Sequence, residues 1–126
     1  MNVEIAIKPN SDSPAKMKLV VCNYEISCAG HEKKANGSVC LENATNKEAV
    51  LTALRDALKR FIKPCTITLR IGNPWVRAQI ARGNLEKWKE NGYLKSDGTE
   101  IAYRKLWEEI AGLLSAHEIK MKEENE

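Results

Sequence analysis

The sequence predicts a single α/β domain in which helices cover both faces of a mixed five-stranded sheet. Residues 3–8 and 17–26 are rich in β-branched side chains and predict two leading strands. Residues 46–62 carry apolar side chains at the i, i+3, i+4 and i+7 spacing of a helix that packs on a sheet. Three leading strands suit an antiparallel meander, and later strands reached through helices suit parallel additions to it.

The segment between the first two strands, residues 9–14, has the composition of a turn or loop. A third strand is expected within residues 33–42. Its hairpin turn is either Ala29-Gly30-His31 or Asn36-Gly37, and the residues alone favour neither. Thr45 or Asn46 can cap the helix that follows, and Lys63-Pro64 ends it.

A compact apolar run over 65–71 suits a buried strand. Asn73-Pro74 then supplies an N-cap and a proline at the first helical position, which predicts a second helix running to about Gly83. The remaining elements are, in order, a short helical turn over 85–90, a loop over 91–99, a helix over 100–115 and a strand over 117–122. One domain therefore spans 1–122, and the acidic tail 123–126 is expected to fray.

The composition is that of an ordinary globular protein. Of 126 residues, 43% are hydrophobic and 29% charged, which excludes a disordered chain. The formal net charge of +3 is too small to imply a nucleic-acid partner by itself. No apolar run reaches the length of a membrane span, and the first ten residues have no signal-peptide pattern. We therefore expect a cytoplasmic protein with no membrane partner.

Four cysteines and two histidines raise the question of a metal site or disulfides. No CxxC pair is present, and thiols in the cytoplasm stay reduced. Cys22, Cys40 and Cys65 lie in apolar or strand-like runs, where free cysteine acts as a small hydrophobic residue, so we expect them to be buried. His31 and His117 are expected in a turn and before a strand, and no zinc site is predicted.

Three stretches resemble the ribonuclease H family. ATNKEAVL at 44–51 resembles its helix-opening Thr-Asn-Asn-Arg-x-Glu-Leu motif, and IGNPWV at 71–76 is similar to its Thr-Asp-Ser-x-Tyr-Val motif after the fourth strand. EKWKENGY at 86–93 is similar to the family's basic, tryptophan-bearing handle. The matches cover about residues 45–121. Resemblance to the ribonuclease HI type implies the sheet order 3-2-1-4-5.

The resemblance implies two-metal phosphodiester hydrolysis by clustered carboxylates. The family's acids after the first strand, in the first helix and after the fourth strand align with Lys8, Val50 and Gly72. Its fourth acid and a nearby histidine follow the fifth strand, where this chain stops without a last helix. Because none of the three aligned residues can hold a divalent cation, Mg²⁺ or Mn²⁺, the metals of active relatives, are not expected here, nor is hydrolase activity.

Three other acidic residues are candidates for replacement metal ligands. Glu4 lies more than about ten Å down the first strand from Lys8, since four residues rise about 13 Å. Asp12 is in the connecting loop, and Asp56 is on the polar side of the first helix. All three are more simply interpreted as solvated carboxylates.

Basic and aromatic side chains are interleaved in the second helix and the handle-like segment, as a nucleic-acid surface requires. The resemblance implies that Asn46 reaches the minor groove of a hybrid, with Thr45 near a backbone phosphate. The candidate nucleic-acid-binding residues are Thr45, Asn46, Arg77, Arg82, Lys87, Trp88, Lys89 and Lys95. The structural interpretation is that Trp88 and Trp107 pack the helices together, that the lysines alternate with glutamates on a solvated face, and that Asn46 only caps a helix.

Three function hypotheses follow. The first is a catalytically inactive domain that binds RNA/DNA hybrid or other duplex nucleic acid. The second is a protein-interaction or scaffold module that uses an exposed edge strand, because a fold does not fix a function. The third, which the sequence favours least, is a residual metal-dependent ribonuclease with a rebuilt site. The oligomeric state stays open.

Overall fold

The computed structural model describes residues 2–11, 15–28, 34–95 and 97–122. The elements are β1 (Asn2–Pro9), β2 (Met17–Cys28), β3 (Lys34–Ala44), α1 (Asn46–Leu58), β4 (Thr66–Ile71), α2 (Pro74–Ala81), α3 (Asn84–Glu90), α4 (Arg104–Leu114) and β5 (Glu118–Met121). This succession is the one that the sequence predicts. The acidic tail 123–126 lies outside the described residues.

The five strands form one sheet in the order β3-β2-β1-β4-β5. The first three pair antiparallel, and β1–β4 and β4–β5 pair parallel. Hairpin-length connections allow antiparallel neighbours, whereas a parallel neighbour needs a crossover such as a helix. The predicted sheet order is therefore confirmed.

The described helices lie on one face of the sheet. Val3, Ile5 and Ile7 of β1 point to that face and are almost completely buried. Helix α1 packs on β1, β2 and β3, while α2 and α4 pack against α1. The alternate residues of β1, such as Glu4 and Lys8, are half-buried or exposed on the other face. The prediction placed helices on both faces, but these polar positions give a second helical layer little apolar surface to cover.

Helix α1 ends at Leu58, four residues before the predicted end at 62. Lys59 and Arg60 form a turn, and the Ile62 side chain is 92% exposed. Pro64 disfavours helical geometry at Lys63, so the helix does not resume after this turn although the apolar pattern continues to Ile62. At the other end Thr45 is the N-cap, because its Oγ1 accepts a hydrogen bond from the Glu48 backbone N–H at 3.2 Å.

Asn36 and Gly37 lie inside β3, opposite Glu25 and Tyr24, so they do not form the hairpin turn. The alternative turn at 29–31 lies outside the described residues. Gly37 has a different role, since a Cβ atom there would lie 2.2 Å from Cζ of Tyr24. The aromatic ring fills the space that a side chain would need.

Helix α4 begins at Arg104 rather than at 100. Tyr103 has a left-handed backbone with φ 60°, which breaks the helical geometry at that point. In the described part of the chain, no helix is long and apolar enough to cross a membrane.

Candidate functional site

The ends of β1 and β4 meet the start of α1. Ile7 pairs with Ile71 across the two parallel strands. The Gly72 backbone N–H donates to the Ile7 carbonyl oxygen at 2.9 Å, and the Asn73 side chain reaches Asn46 at the first position of α1. The fold thus brings together the three segments in which the resemblance implies metal-binding acids.

The residues at the implied acid positions do not fit a divalent metal. Lys8 is exposed and cationic, Val50 is completely buried and apolar, and Gly72 is buried and has no side chain. Divalent Mg²⁺ and Mn²⁺ need oxygen ligands, of which carboxylates are the usual source. Among the residues described, no group of three or more Asp, Glu, His or Cys side chains is arranged to hold a metal ion.

Two of the other acids considered as replacement ligands are engaged elsewhere. Glu4 accepts a hydrogen bond from Nε of Arg70 at 3.0 Å, and Asp56 contacts Arg55 at 3.3 Å. Both are therefore ion-paired, away from the strand ends. Asp12, the third candidate, lies outside the described residues.

Neutral amides occupy the centre of this region. Asn46 is only 3% exposed, and its Nδ2 donates to the carbonyl oxygen of Ser11. Its Oδ1 accepts from Nδ2 of Asn73 at 3.0 Å, while Oδ1 of Asn73 accepts from the Val76 backbone N–H at 3.0 Å and caps α2. The side-chain oxygen and nitrogen of both Asn46 and Asn73 have hydrogen-bond partners within the protein, so these polar groups need no ion.

Thr45 and Asn46 are therefore placed differently from what the resemblance implies. The Asn46 amide is hydrogen-bonded inside the domain and is neither a helix cap nor a surface group. The Thr45 hydroxyl caps α1 and lies 2.7 Å from the Tyr103 hydroxyl. Sequence reasoning missed this link between α1, β4 and α2, because an asparagine at a helix start resembles an ordinary cap.

The predicted basic residues of α2, α3 and the following loop fall into two groups. Arg77 is half-buried, whereas the other four are exposed. We call these four, Arg82, Lys87, Lys89 and Lys95, the basic surface. Within residues 2–11, 15–28, 34–95 and 97–122, none of the four side chains contacts a carboxylate. Glu86 and Glu90 are also exposed on α3, so the local excess of positive charge is modest.

Three cationic side chains of α1, its C-cap and α4 differ from the basic surface in that they are paired with carboxylates. Arg55 and Lys59 contact Glu109 at 3.5 and 3.2 Å. Arg104 contacts both Glu100 and Glu108, at 2.7 and 2.6 Å. These charges are matched inside the domain, whereas the four cations of the basic surface contact no carboxylate among the described residues.

The tryptophans join the helices. Trp107 is completely buried, and its ring lies edge-on to two other tryptophan rings. The distance between ring centres is 5.2 Å to Trp88 and 6.0 Å to Trp75. Trp88 is thus half-buried by packing, as the structural interpretation predicts. The Lys47 ammonium lies 4.3 Å from the centre of the Trp75 ring, a cation–π contact between α1 and α2.

The cysteines divide by exposure. Cys22 is buried, and burial raises the pKa of its thiol to about 12. Cys40 is exposed and Cys65 half-buried, so the prediction that all three are buried is wrong for these two. Strand alternation directs Cys40 to the open face of edge strand β3. His117 accepts a hydrogen bond at Nδ1 from the Cys65 backbone N–H at 3.0 Å, a structural role, and His31 lies outside the described residues.

Comparison with curated proteins finds ribonucleases H among the proteins of similar sequence. The chain is 35% identical over 78 residues to a ribonuclease H of Thermoanaerobacter sp. (strain X514), covering 62% of this chain and 50% of that protein. It thus spans about half the length of this curated relative. No family model matches the sequence.

Solved structures share the fold. LC9-RNase H1, a type 1 ribonuclease H with the type 2 active-site motif, superposes with a TM-score of 0.77 at 12% identity, covering 97% of this chain and 62% of that one. A foamy viral protease-reverse transcriptase in complex with double-stranded DNA superposes with a TM-score of 0.73 at 16% identity, covering 97% of this chain and 79% of that one. A ribonuclease H of Nitratidesulfovibrio vulgaris (strain DP4) is 30% identical to this chain over 95 residues, which cover 75% of this chain and 60% of that protein. The chain belongs to the ribonuclease H-like family.

Proposed function

We propose that this ribonuclease H-like domain binds duplex nucleic acid, RNA/DNA hybrid in particular, through the basic surface and does not hydrolyse it. The observation that carries the proposal is the set of four exposed cations in and directly after α2 and α3, which contact no carboxylate among the described residues. Lysine and arginine that meet phosphates release condensed counterions, which makes such a surface a source of affinity. The foamy viral relative in fold, seen with double-stranded DNA, supports the same class of partner.

The absence of suitable ligands supports the lack of hydrolysis. Val50 and Gly72 provide no ligand atom, and a lysine ammonium about 4 Å from a divalent ion repels it by several kcal/mol at an effective dielectric of about 20. The Asn46–Asn73 pair fills the space between the strand ends and α1 with neutral groups. Without metal ions the family's route to an activated water is closed.

Binding is tested by fluorescence anisotropy with a short labelled RNA/DNA hybrid at low salt. Each phosphate contact lowers the logarithm of the association constant by about 0.9 per tenfold rise in salt. The variant Lys87→Glu/Lys89→Glu removes two cations of the basic surface. We expect it to bind at least about tenfold more weakly, with a salt slope smaller by about 2.

The matched control is Lys63→Glu/Lys105→Glu, which makes the same change in net charge at exposed lysines outside the basic surface. If the two double variants lose affinity equally, binding is non-specific attraction and the basic surface is not the site. If the unaltered protein does not bind hybrid or duplex DNA at low salt, nucleic-acid binding is refuted.

Hydrolysis is tested separately with labelled hybrid in Mg²⁺ or Mn²⁺. We expect no cleavage by the purified protein. Cleavage that persists through purification and disappears in an Asp12→Asn variant would show that a rebuilt metal site exists. That result would leave the binding proposal intact and overturn the proposal of inactivity.

A further inference from the structure

Strand β5 forms one edge of the sheet, and among the described strands it pairs with β4 alone. It pairs with β4 in parallel register, Thr66 opposite Glu118 and Thr68 opposite Lys120. The Glu118 and Lys122 backbone N–H groups donate to the carbonyls of Cys65 and Leu69, each at 2.9 Å. In a parallel ladder alternate residues bond to the same neighbour. The backbone groups of Ile119 and Met121 therefore point outwards, away from β4.

The outward residues allow a second copy of β5 to pair with the first. An antiparallel hydrogen-bonded pair places two such residues directly opposite each other. If Ile119 lies on the two-fold axis, Ile119 faces Ile119 of the second copy, and Met121 faces His117. Glu118 then lies opposite Lys120 of the second copy, and Lys120 opposite its Glu118. Both side chains are exposed in the single chain, so two equivalent cross-strand ion pairs become available.

Other registers of β5 with itself are less favourable. Placing Met121 on the axis brings Lys120 opposite Lys122 of the second copy, and like charges directly opposite each other are destabilising. Placing Lys120 on the axis pairs two ammonium groups and presents residues whose backbone groups already bond to β4. The charge pattern of this short strand therefore selects one register.

A groove beside β5 supplies apolar surface on the helix-bearing face. It has a volume of about 560 Å³ and runs between β5 and helices α2, α3 and α4. Ile80, Leu85, Leu114, Ile119 and Met121 line it, together with the charged residues Glu86 and Lys89. Ile119 and Met121 are half-buried, and no described strand lies on the outer side of β5. Cross-strand neighbours share a face, so Ile119 of a second copy would pack beside this groove.

We propose that the β5 edge and the groove beside it form a self-association surface, through which two copies join their sheets by antiparallel β5–β5 pairing centred on Ile119. The arrangement is a closed two-fold interface, in which each copy offers the same patch. Its occupant is a second copy of this chain, selected by the complementary charges of Glu118 and Lys120. Lys89 lines the groove and also belongs to the basic surface, so the two surfaces adjoin there, whereas Arg82, Lys87 and Lys95 are not among the groove-lining residues.

Sedimentation equilibrium of the full chain, at protein concentrations up to about 1 mM, measures the association. We expect a monomer–dimer equilibrium. Glu118→Lys puts lysine opposite Lys120 in both symmetry-related pairs, and we expect it to weaken dimerisation by about tenfold or more. Glu118→Lys/Lys120→Glu reverses both charges and restores complementarity, so its dimerisation constant should lie within about threefold of the original. Circular dichroism confirms that each variant is folded.

A cross-link tests the register directly. In an Ile119→Cys variant that also carries Cys40→Ser, the two new cysteines lie in a hydrogen-bonded antiparallel pair with Cα atoms about 5.5 Å apart, within the range that a disulfide spans. We expect mild oxidation to give a covalent dimer. Leu94→Cys in the same background, at an exposed site away from β5, is the control and should cross-link far less.

Three results overturn the proposal. The first is a monomer over the whole concentration range. The second is a dimer that Glu118→Lys leaves unchanged, which would place the contact elsewhere, for example at the exposed edge of β3. The third is a double charge reversal that fails to recover dimerisation while the protein remains folded.

Discussion

Asn73 donates a hydrogen bond from Nδ2 to Oδ1 of Asn46 at 3.0 Å, and this contact joins the end of β4 to the start of α1. The two residues are 27 positions apart in the chain. Asn73 also caps α2 through its Oδ1, so one side chain fixes the position of two helix starts relative to the strand. The region in which the family resemblance implies acids around a metal ion is held together here by neutral amides.

Asn73→Ala should lower the free energy of unfolding by about 1–3 kcal/mol, because it removes a helix cap and leaves the buried Asn46 oxygen without its partner. Asn73→Ser keeps a capping oxygen but is too short to reach Asn46, so we expect about half that loss. Urea denaturation measures both variants. Asn23→Ala, at an exposed position of β2, is the control and should change stability by less than about 0.5 kcal/mol. Equal losses for the alanine and serine variants would contradict the role of the cap.

Gly37→Ala should destabilise the domain by about 1–3 kcal/mol, since the new methyl group would overlap the Tyr24 ring. The ring is 7% exposed and its hydroxyl accepts a hydrogen bond from Nε of Arg60 at 3.0 Å, so moving it breaks a further contact. Gly112→Ala is the matched control. It lies within α4 with no atom within 4 Å of the added Cβ, and should stabilise by about 0.5–1 kcal/mol. Thermal or urea denaturation that shows the same sign for both changes would refute this assignment.

The sequence predicts the order of elements and the sheet, because alternation in the strands and the stripe of α1 are local patterns. The end of α1 is missed for a local reason as well. Phe61 and Ile62 continue the apolar pattern, yet Ile62 is 92% exposed, because the helix has already ended at Leu58. The start of α4 is missed because it depends on the left-handed backbone of Tyr103. Tyrosine rarely adopts this conformation, so the sequence does not indicate it.

The sequence predicts the candidate functional site only at the positions where its motifs align with those of the ribonuclease H family. Motif positions place Lys8, Val50 and Gly72 in segments that the structure brings together. They do not reveal the buried Asn46–Asn73 contact, which depends on the direction that the turn after Gly72 gives to the Asn73 side chain. Exposure of Cys40 is missed for a similar reason, because β3 is an edge strand and its burial depends on the neighbours that the fold gives it.

Cys22 should make the domain less stable as the pH rises above about 9. Burial raises its pKa from the ordinary value of 9.0 to about 12, so the folded state keeps a proton that the unfolded state loses between these values. The stabilisation is fully present below pH 9.0 and is lost as the pH rises towards about 12. Between these pH values, this thiol should lower the free energy of unfolding by about 1.4 kcal/mol for each pH unit.

The measurement is urea denaturation at several pH values from about 8 to 10, for the original protein and for Cys22→Ala. Other groups titrate in both proteins, so the difference between the two isolates Cys22. That difference should shrink by about 1.4 kcal/mol for each pH unit above 9. A difference that is independent of pH would contradict the burial of this thiol. Thiol labelling should likewise modify the exposed Cys40 in the folded protein and reach Cys22 only on unfolding.

Millimolar Mg²⁺ or Mn²⁺ should leave the melting temperature of the unaltered protein unchanged. A ligand that binds the folded state stabilises it by RT ln(1 + [L]/Kd) and so raises the melting temperature, and an unchanged value therefore indicates that no ion is bound. The acid-restoring variant Lys8→Asp/Gly72→Asp is the comparison. It places two carboxylates at the neighbouring ends of β1 and β4, where the Gly72 N–H already lies 2.9 Å from the Ile7 oxygen. Occupied about tenfold above its dissociation constant, such a site contributes about 1.4 kcal/mol, or several degrees in a domain of this size.

Differential scanning calorimetry with and without the ion, after chelation of trace metal, distinguishes the two proteins. The restored variant should respond to Mn²⁺ and the original should not. A metal-dependent rise in the original protein that is lost in Asp12→Asn would show that the loop between β1 and β2 supplies a ligand. In that case the lysine at position 8 does not prevent metal binding, and the proposed loss of hydrolysis would need a cause other than the missing acids.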